Sequence, residues 1–193
     1  GAAHLGGVSY DGCGFEFKIG GSDEVGLYTN SSSEGGGDPQ LVDVAAGCCS
    51  GDESTSYGRP LGGADGAFAV LPARTPGAPN SRAATPPAPP TASHPQSVPA
   101  HVLINEVADK GNDADAACAG SDWLELLNPF DSSLSLAGLV LSDDHGLPYD
   151  KALALGGSGC PASLGAGELL LLCQGGAAHL GGVSYDGCGF EFK

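Results

Sequence analysis

Residues 122–144 read DWLELLNPFDSSLSLAGLVLSDD. Two short apolar runs, DWLELLN and LSLAGLVL, flank Pro-Phe-Asp-Ser-Ser, whose fixed or locally hydrogen-bonded backbones reverse a chain. The pattern predicts two strands joined as a hairpin and places the chain in the all-β class. Composition agrees. The 193 residues include 33 glycines and 14 prolines, which interrupt the chain too often for long helices. Short runs rich in Leu, Val and Phe lie between them, as in an all-β sandwich. The length suffices for one well-filled core or two small ones.

Charge excludes several functions. Seven Lys and Arg stand against 23 Asp and Glu, a formal charge of -16, so the field repels phosphate backbones and anionic membranes and no nucleic-acid partner is expected. The longest apolar stretch, Leu169–Cys173, is far too short to span a bilayer, and no basic segment followed by an apolar one is visible. Membrane insertion is not expected. No G-x-S-x-G, phosphate-binding loop or H-E-x-x-H occurs, and the five histidines are scattered, so no enzyme is expected. Glu106 and Glu125 fall in strands that could be neighbours, and paired carboxylates can do acid–base work. The simpler expectation is that they cap a turn or pair with Arg59.

The chain repeats itself. GAAHLGGVSYDGCGFEFK occupies residues 1–18 and again, without one change, residues 176–193, a period of 175 residues. An identity of this length is not chance; it marks a tandem array of which this chain is one full period and the opening of the next. An engineered or circularly permuted arrangement is the alternative.

Reading onward, 14–19 alternates Phe15, Phe17 and Ile19 with Glu16 and Lys18, a half-buried strand. Further strands are expected at 24–28, 41–45, 101–107, 151–155 and 168–173. Ile104-Asn105-Glu106, then Asp122-Trp123-Leu124-Glu125-Leu126-Leu127-Asn128, then Leu136-Ala137-Gly138-Leu139-Val140-Leu141-Ser142-Asp143-Asp144 follow one another. Together they resemble the opening signature of the lamin-tail domain, roughly I-N-E, D-W-I-E-L-x-N and L-x-G-W-x-L-S-D-D, with Leu139 where the family often has Trp. Ser56-Tyr57-Gly58-Arg59 and Thr75-Pro76-Gly77-Ala78-Pro79-Asn80 resemble its closing motifs. The resemblance implies an immunoglobulin-like β-sandwich. It also implies an order of halves: residues 1–80 would be the C-terminal part of one unit and 100–193 the N-terminal part of the next, a complete unit being 100–193 followed by 19–80. Identical units would then meet head to tail, within one array or by strand exchange between chains.

Residues 81–99 change character. SRAATPPAPPTASHPQSVP has no large aromatic residue and no leucine; it predicts a polyproline-II-like spacer reaching roughly 60 Å at about 3.1 Å per residue. In an extracellular protein Thr85, Thr91, Ser93 and Ser97 are candidates for O-linked glycans, as are Pro86, Pro87, Pro89, Pro90, Pro95 and Pro99 once hydroxylated, since the segment resembles the hydroxyproline-rich spacers of wall glycoproteins; an unmodified linker is the alternative. Asn30-Ser31-Ser32 is an N-glycosylation sequon.

One period holds Cys13, Cys48, Cys49, Cys118, Cys160 and Cys173, with Cys188 duplicating Cys13. An even number in a short, Gly- and Pro-rich β unit suits disulfides and an extracellular location, with connectivity undetermined. Reduced core thiols or a zinc site are the alternatives. Asp109, Asn112, Asp113, Asp115 and Asp122 crowd one loop and its exit, offering the oxygen ligands that calcium takes. No other cofactor is expected. The whole reads as a structural component of an extracellular filament or surface fibre. A cell-surface adhesion or ligand-binding module, calcium-dependent or not, is the alternative.

Overall fold

The structure, a computed structural model, describes residues 3–5, 8–10, 19, 24–29, 39–46, 54–60, 67–80, 100–109, 117–118, 120–143, 153–157, 159–174, 177–181 and 183–186. The rest of the strand expected at 14–19 and the linker 81–99 lie outside them. No α-helix occurs among the described residues, and none there is long and apolar enough to cross a membrane.

The strands are β1 (Ala3–Leu5), β2 (Val8–Tyr10), β3 (Glu24–Thr29), β4 (Leu41–Ala46), β5 (Ser56–Gly58), β6 (Ala69–Leu71), β7 (Leu103–Ala108), β8 (Trp123–Leu127), β9 (Leu134–Ser135), β10 (Leu139–Ser142), β11 (Leu153–Ala154), β12 (Ser163–Leu164), β13 (Leu169–Cys173), β14 (Ala177–Leu180) and β15 (Val183–Asp186). A seven-stranded sheet has the order β15-β14-β13-β8-β7-β5-β6, and a four-stranded sheet the order β11-β10-β3-β4. Both are antiparallel throughout. Two-stranded ribbons, β1-β2 and β12-β9, complete the set. Each large sheet draws strands from both sides of the linker segment, so neither half of the chain owns a complete sheet.

The two large sheets share one core. Ile104, Val107, Leu124, Leu126, Leu170 and Leu172 meet Val25, Leu27, Ala45, Leu139, Leu141 and Leu153 in a single buried cluster. The runs WLELL and LLLLC lie in the middle of the larger sheet and are covered on both faces. An apolar run without polar alternation requires such a position. On the opposite face Ala108, Cys118, Trp123, Leu171 and Cys173 form a second, smaller cluster, closed by the Cys118–Cys173 disulfide.

The hairpin expected at 122–144 is not one. Its strands are present, but β8 lies between β7 and β13 while β10 lies between β3 and β11, so the chain crosses from one sheet to the other. Each run is apolar on the face it turns to the core, and the two faces meet across that core instead of edge to edge. The crossing is built locally. The two protons of the buried Asn128 amide are shared among the carbonyls of Ser132 (2.7 Å), Leu164 (3.0 Å) and Gly165 (2.9 Å), and its Oδ1 accepts from Phe130 N (3.0 Å).

Replacing both Cys118 and Cys173 by Ala opens a link across 55 residues; the chain-entropy argument gives a loss of about 4 kcal/mol. Urea unfolding followed by Trp123 fluorescence measures it, and an unchanged midpoint would mean that the bond does not constrain the unfolded chain.

Candidate functional site

The polar residues of the sequence motifs converge on one place, the outer face of the seven-stranded sheet at β7 and β8. The cause is a bulge. Along β7 and β8 the register runs Ile104 opposite Leu126, then Glu106 opposite Glu125, then Val107 opposite Leu124. Asn105 is the extra residue. In a regular strand Ile104 and Glu106 would face the same way; the inserted residue turns Glu106 away from the leucine core and sets it against Glu125. Asn105, Glu106 and Glu125 are all 0% exposed.

Two buried carboxyls need donors, and the segments before the linker supply most of them. Glu106 accepts from Ser56 Oγ, from Thr75 N (3.1 Å) and from Thr75 Oγ1 (2.6 Å). Glu125 accepts from Asn105 Nδ2 (2.6 Å) and from Gly77 N (2.7 Å). Asn80 binds the same knot: its Nδ2 donates to the carbonyls of Arg59 (2.8 Å) and Asn105 (3.1 Å), and its Oδ1 accepts from Asn105 Nδ2 (3.2 Å) and lies 2.9 Å from Thr75 Oγ1, whose one proton it shares with Glu106. The local turn makes this possible. Pro76 sits second and Gly77 third, at φ 76°, with Ala78 N closing onto the Thr75 carbonyl at 2.9 Å, which is type II turn chemistry. The same turn aims the Gly77 N–H at Glu125. Gly58 answers a different need: a Cβ there would stand 2.7 Å from the Asn105 carbonyl oxygen, so only glycine lets β5 approach the bulge.

A second polar link joins the two large sheets. Arg59 Nη2 meets Asp43 Oδ1 at 2.6 Å, and Asp43 Oδ2 accepts from Ile104 N at 2.8 Å. Arg59 Nε donates to the Ile104 carbonyl (3.1 Å), and its guanidinium carbon lies 4.5 Å from the centre of the Phe68 ring, which stacks on Tyr57. Burial pushes the Asp43 carboxyl above its ordinary range, against the opposing pull of Arg59 and of the Ile104 and Val44 N–H groups. Arg74 fastens the strand ends, donating to the carbonyls of Thr55 (2.7 Å) and Asp109 (2.8 Å).

Of the sequence expectations, the turn cap holds: Glu125 and Glu106 both bind the 75–77 turn. The ion-pair partner of Arg59 is Asp43, which pattern reading did not single out; its position in β4, a strand of the other sheet, is what brings it there. Among the calcium candidates, Asp109 and Asp122 are buried where β7 ends and β8 begins, and the Asp122 carbonyl accepts from Gln174 N (2.8 Å). Asn112, Asp113 and Asp115 lie outside the described residues. Among the described residues no group of three or more His, Cys, Asp and Glu is placed to hold a metal ion. Cys160 is disulfide-bonded in addition to Cys118 and Cys173. Cys13, Cys48, Cys49, Cys188, Asn30 and the linker positions from Thr85 to Pro99 lie outside the described residues. No family model, curated protein or solved structure matches the chain.

As chemistry, the knot favours a held proton over a reacting one. Burial, foremost, together with repulsion from Glu106, pushes the Glu125 carboxyl from 4.5 up to about 8, against the pull of Asn105 and of the Gly77 N–H. The knot therefore carries a carboxyl proton at neutral pH, and it also contains a buried acceptor with no hydrogen-bond partner, Asn105 Oδ1.

Because the folded chain keeps that proton to higher pH than the unfolded chain, the contribution of Glu125 is complete below about pH 4.5 and lost as pH rises through about 8. Thermal midpoints recorded from pH 5 to pH 9 are expected to fall with pH in the native chain. Glu125→Gln, which cannot ionise, should flatten the dependence while lowering the midpoint at pH 5, since its NH2 cannot accept one of the two bonds. A separate check addresses the turn: Gly77→Ala meets no atom but forces a side chain into a left-handed backbone, so it should cost about 1–2 kcal/mol in chemical denaturation.

Proposed function

We propose that the chain is a building unit of an extracellular fibre: a lamin-tail-like, immunoglobulin-like sandwich repeated in tandem, with Pro-rich, glycosylated segments between units. The observation that carries this reading is the unchanged repetition of residues 1–18 at 176–193; a catalyst has no need of a second identical copy, whereas an array is made of them. Three further features support it. The I-N-E, D-W-L-E-L-L-N, S-Y-G-R and T-P-G-A-P-N motifs meet in one buried knot, as a fold signature would. The residues that could do acid–base work, Glu106 and Glu125, are sealed from solvent and bonded to backbone and side chains that hold the segments together. The Cys118–Cys173 bond suits an oxidising compartment. Calcium, if bound, would brace the 109–122 loop.

Electron microscopy of native material is the test. A filament with one axial repeat per 175-residue unit, and added density along 81–99, is the expected result, with glycopeptide mass spectrometry locating sugars on Thr85 to Pro99. Discrete particles that bind a ligand saturably would replace the fibre with an adhesion module.

A further inference from the structure

The two copies of the repeated segment fold alike but are seated differently. In the first, Ala3 pairs with Tyr10, His4 with Ser9 and Leu5 with Val8; in the second, Ala178 pairs with Tyr185, His179 with Ser184 and Leu180 with Val183. These are the same residues in the same register. The second copy is bound on its outer side to β13, with Leu170 opposite Leu180, Leu171 opposite His179 and Leu172 opposite Ala178. There Ala178 is buried in the main core. The first copy forms a two-stranded ribbon of its own, with β1 paired only to β2 and lying beside β15, the outermost strand of the large sheet. The described residues thus hold one acceptor edge, on β13, and two identical hairpins that fit it. A two-stranded ribbon is marginal alone.

We infer that the partner of the first hairpin is β13 of a second copy of this chain: residues 3–10 take the seat filled here by 177–186, with Ala3 opposite Leu172, His4 opposite Leu171 and Leu5 opposite Leu170. The inference deepens the fibre reading by naming the contact between units. The exchange carries more than a hairpin. In sequence, residues 3–10 precede Ile19, buried in the main core, and then β3, which pairs with β10, β4, which packs against β7, β5, which pairs with β7, and β6, which pairs with β5. Residues 3–80 of one chain therefore seat as one piece on residues 100–174 of another. The exchange displaces residues 177–186 from β13 and puts the identical residues of another chain in their place, while the first half keeps its contacts with a second half, now between chains; linker reach and concentration decide which chain supplies that first half. The operation joins front to back, so it continues chain after chain without closing.

The test uses the full chain and two proline variants. In β14 residues 178–180 lie between two strands, so His179→Pro removes a ladder bond and bars residues 177–186 from the sheet. Light scattering on a size-exclusion column should then show His179→Pro at twofold and larger multiples of the monomer mass, rising with concentration. The double variant His4→Pro/His179→Pro should remain monomeric. A synthetic peptide of residues 1–12, which contains no cysteine, should bind His179→Pro saturably and reduce its mass toward that of the monomer. If His179→Pro is monomeric at every concentration, or forms multiples that neither the peptide nor His4→Pro removes, the inference fails. A 175-residue filament repeat in native material alongside a monomeric His179→Pro would keep the fibre and discard the exchange.

Discussion

One inserted residue, Asn105, governs the arrangement. Without it Glu106 would share a face with Ile104 and point into a cluster of leucines, where a carboxyl has no partner and burial costs several kcal/mol. With it, the acid turns to the other side of the sheet, opposite Glu125, and creates a demand for donors that Ser56, Thr75 and Gly77 answer. Residues 72–80 contain no strand among themselves. Their path is set by that demand, by the fixed φ of Pro76 and by the positive φ of Gly77. A local irregularity in one strand thus dictates the course of a segment nearly thirty positions earlier in the chain.

The two faces of the large sheet are held by different forces. On the inner face, leucines from β8 and β13 pack against those of β3 and β10, and the non-directional removal of apolar surface from water suffices. On the outer face that supply is small: Trp123 and a few neighbours, a disulfide, and the carboxyl knot. Directional bonds do there what area does on the inside, and they also specify which segments belong together, since each of Ser56, Thr75, Gly77 and Asn80 satisfies a group that follows the linker. The same economy governs charge. In a chain of formal charge -16, the carboxyls drawn inside are not left bare: Asp43 has Arg59, and Glu125 keeps its proton.

The strands most readable from the sequence were those whose composition is extreme. LINEV, WLELL and LLLLC are apolar, bounded by turn residues and too short for helices, and each became a strand. What periodicity could not supply was the neighbour of each strand. DWLELLN and LSLAGLVL look like partners because a turn separates them, yet sheet membership is decided by which apolar faces can meet, a long-range property. The bulge was equally hidden, because Ile104-Asn105-Glu106 reads as ordinary alternation until the register of β8 is laid beside it. Glu106 and Glu125 could be proposed as neighbours, but Asp43 could not be paired with Arg59 when nothing in LVDVAA marks its acid as buried. The small strands β6 and β12 and the repeated hairpin escaped notice because short runs among small and turn-forming residues leave little pattern to count, and LSLAGLVL, read as one strand, divides into β9 and β10, which join different sheets. Cys118–Cys173 was one of many possible pairings.

The position of Asn80 has a mechanical consequence. It is the last described residue before the Pro-rich stretch, and its amide grips the carbonyls of Arg59 and Asn105, while the described chain resumes at residue 100, a few positions before β7. Load carried through the stretch therefore meets the hydrogen bonds of Asn80 at one end and, at the other, a chain that passes through Val102, buried in the main core, into β7. The two attachments differ in kind: directional bonds, which break and re-form one at a time, hold the first, and buried apolar surface holds the second.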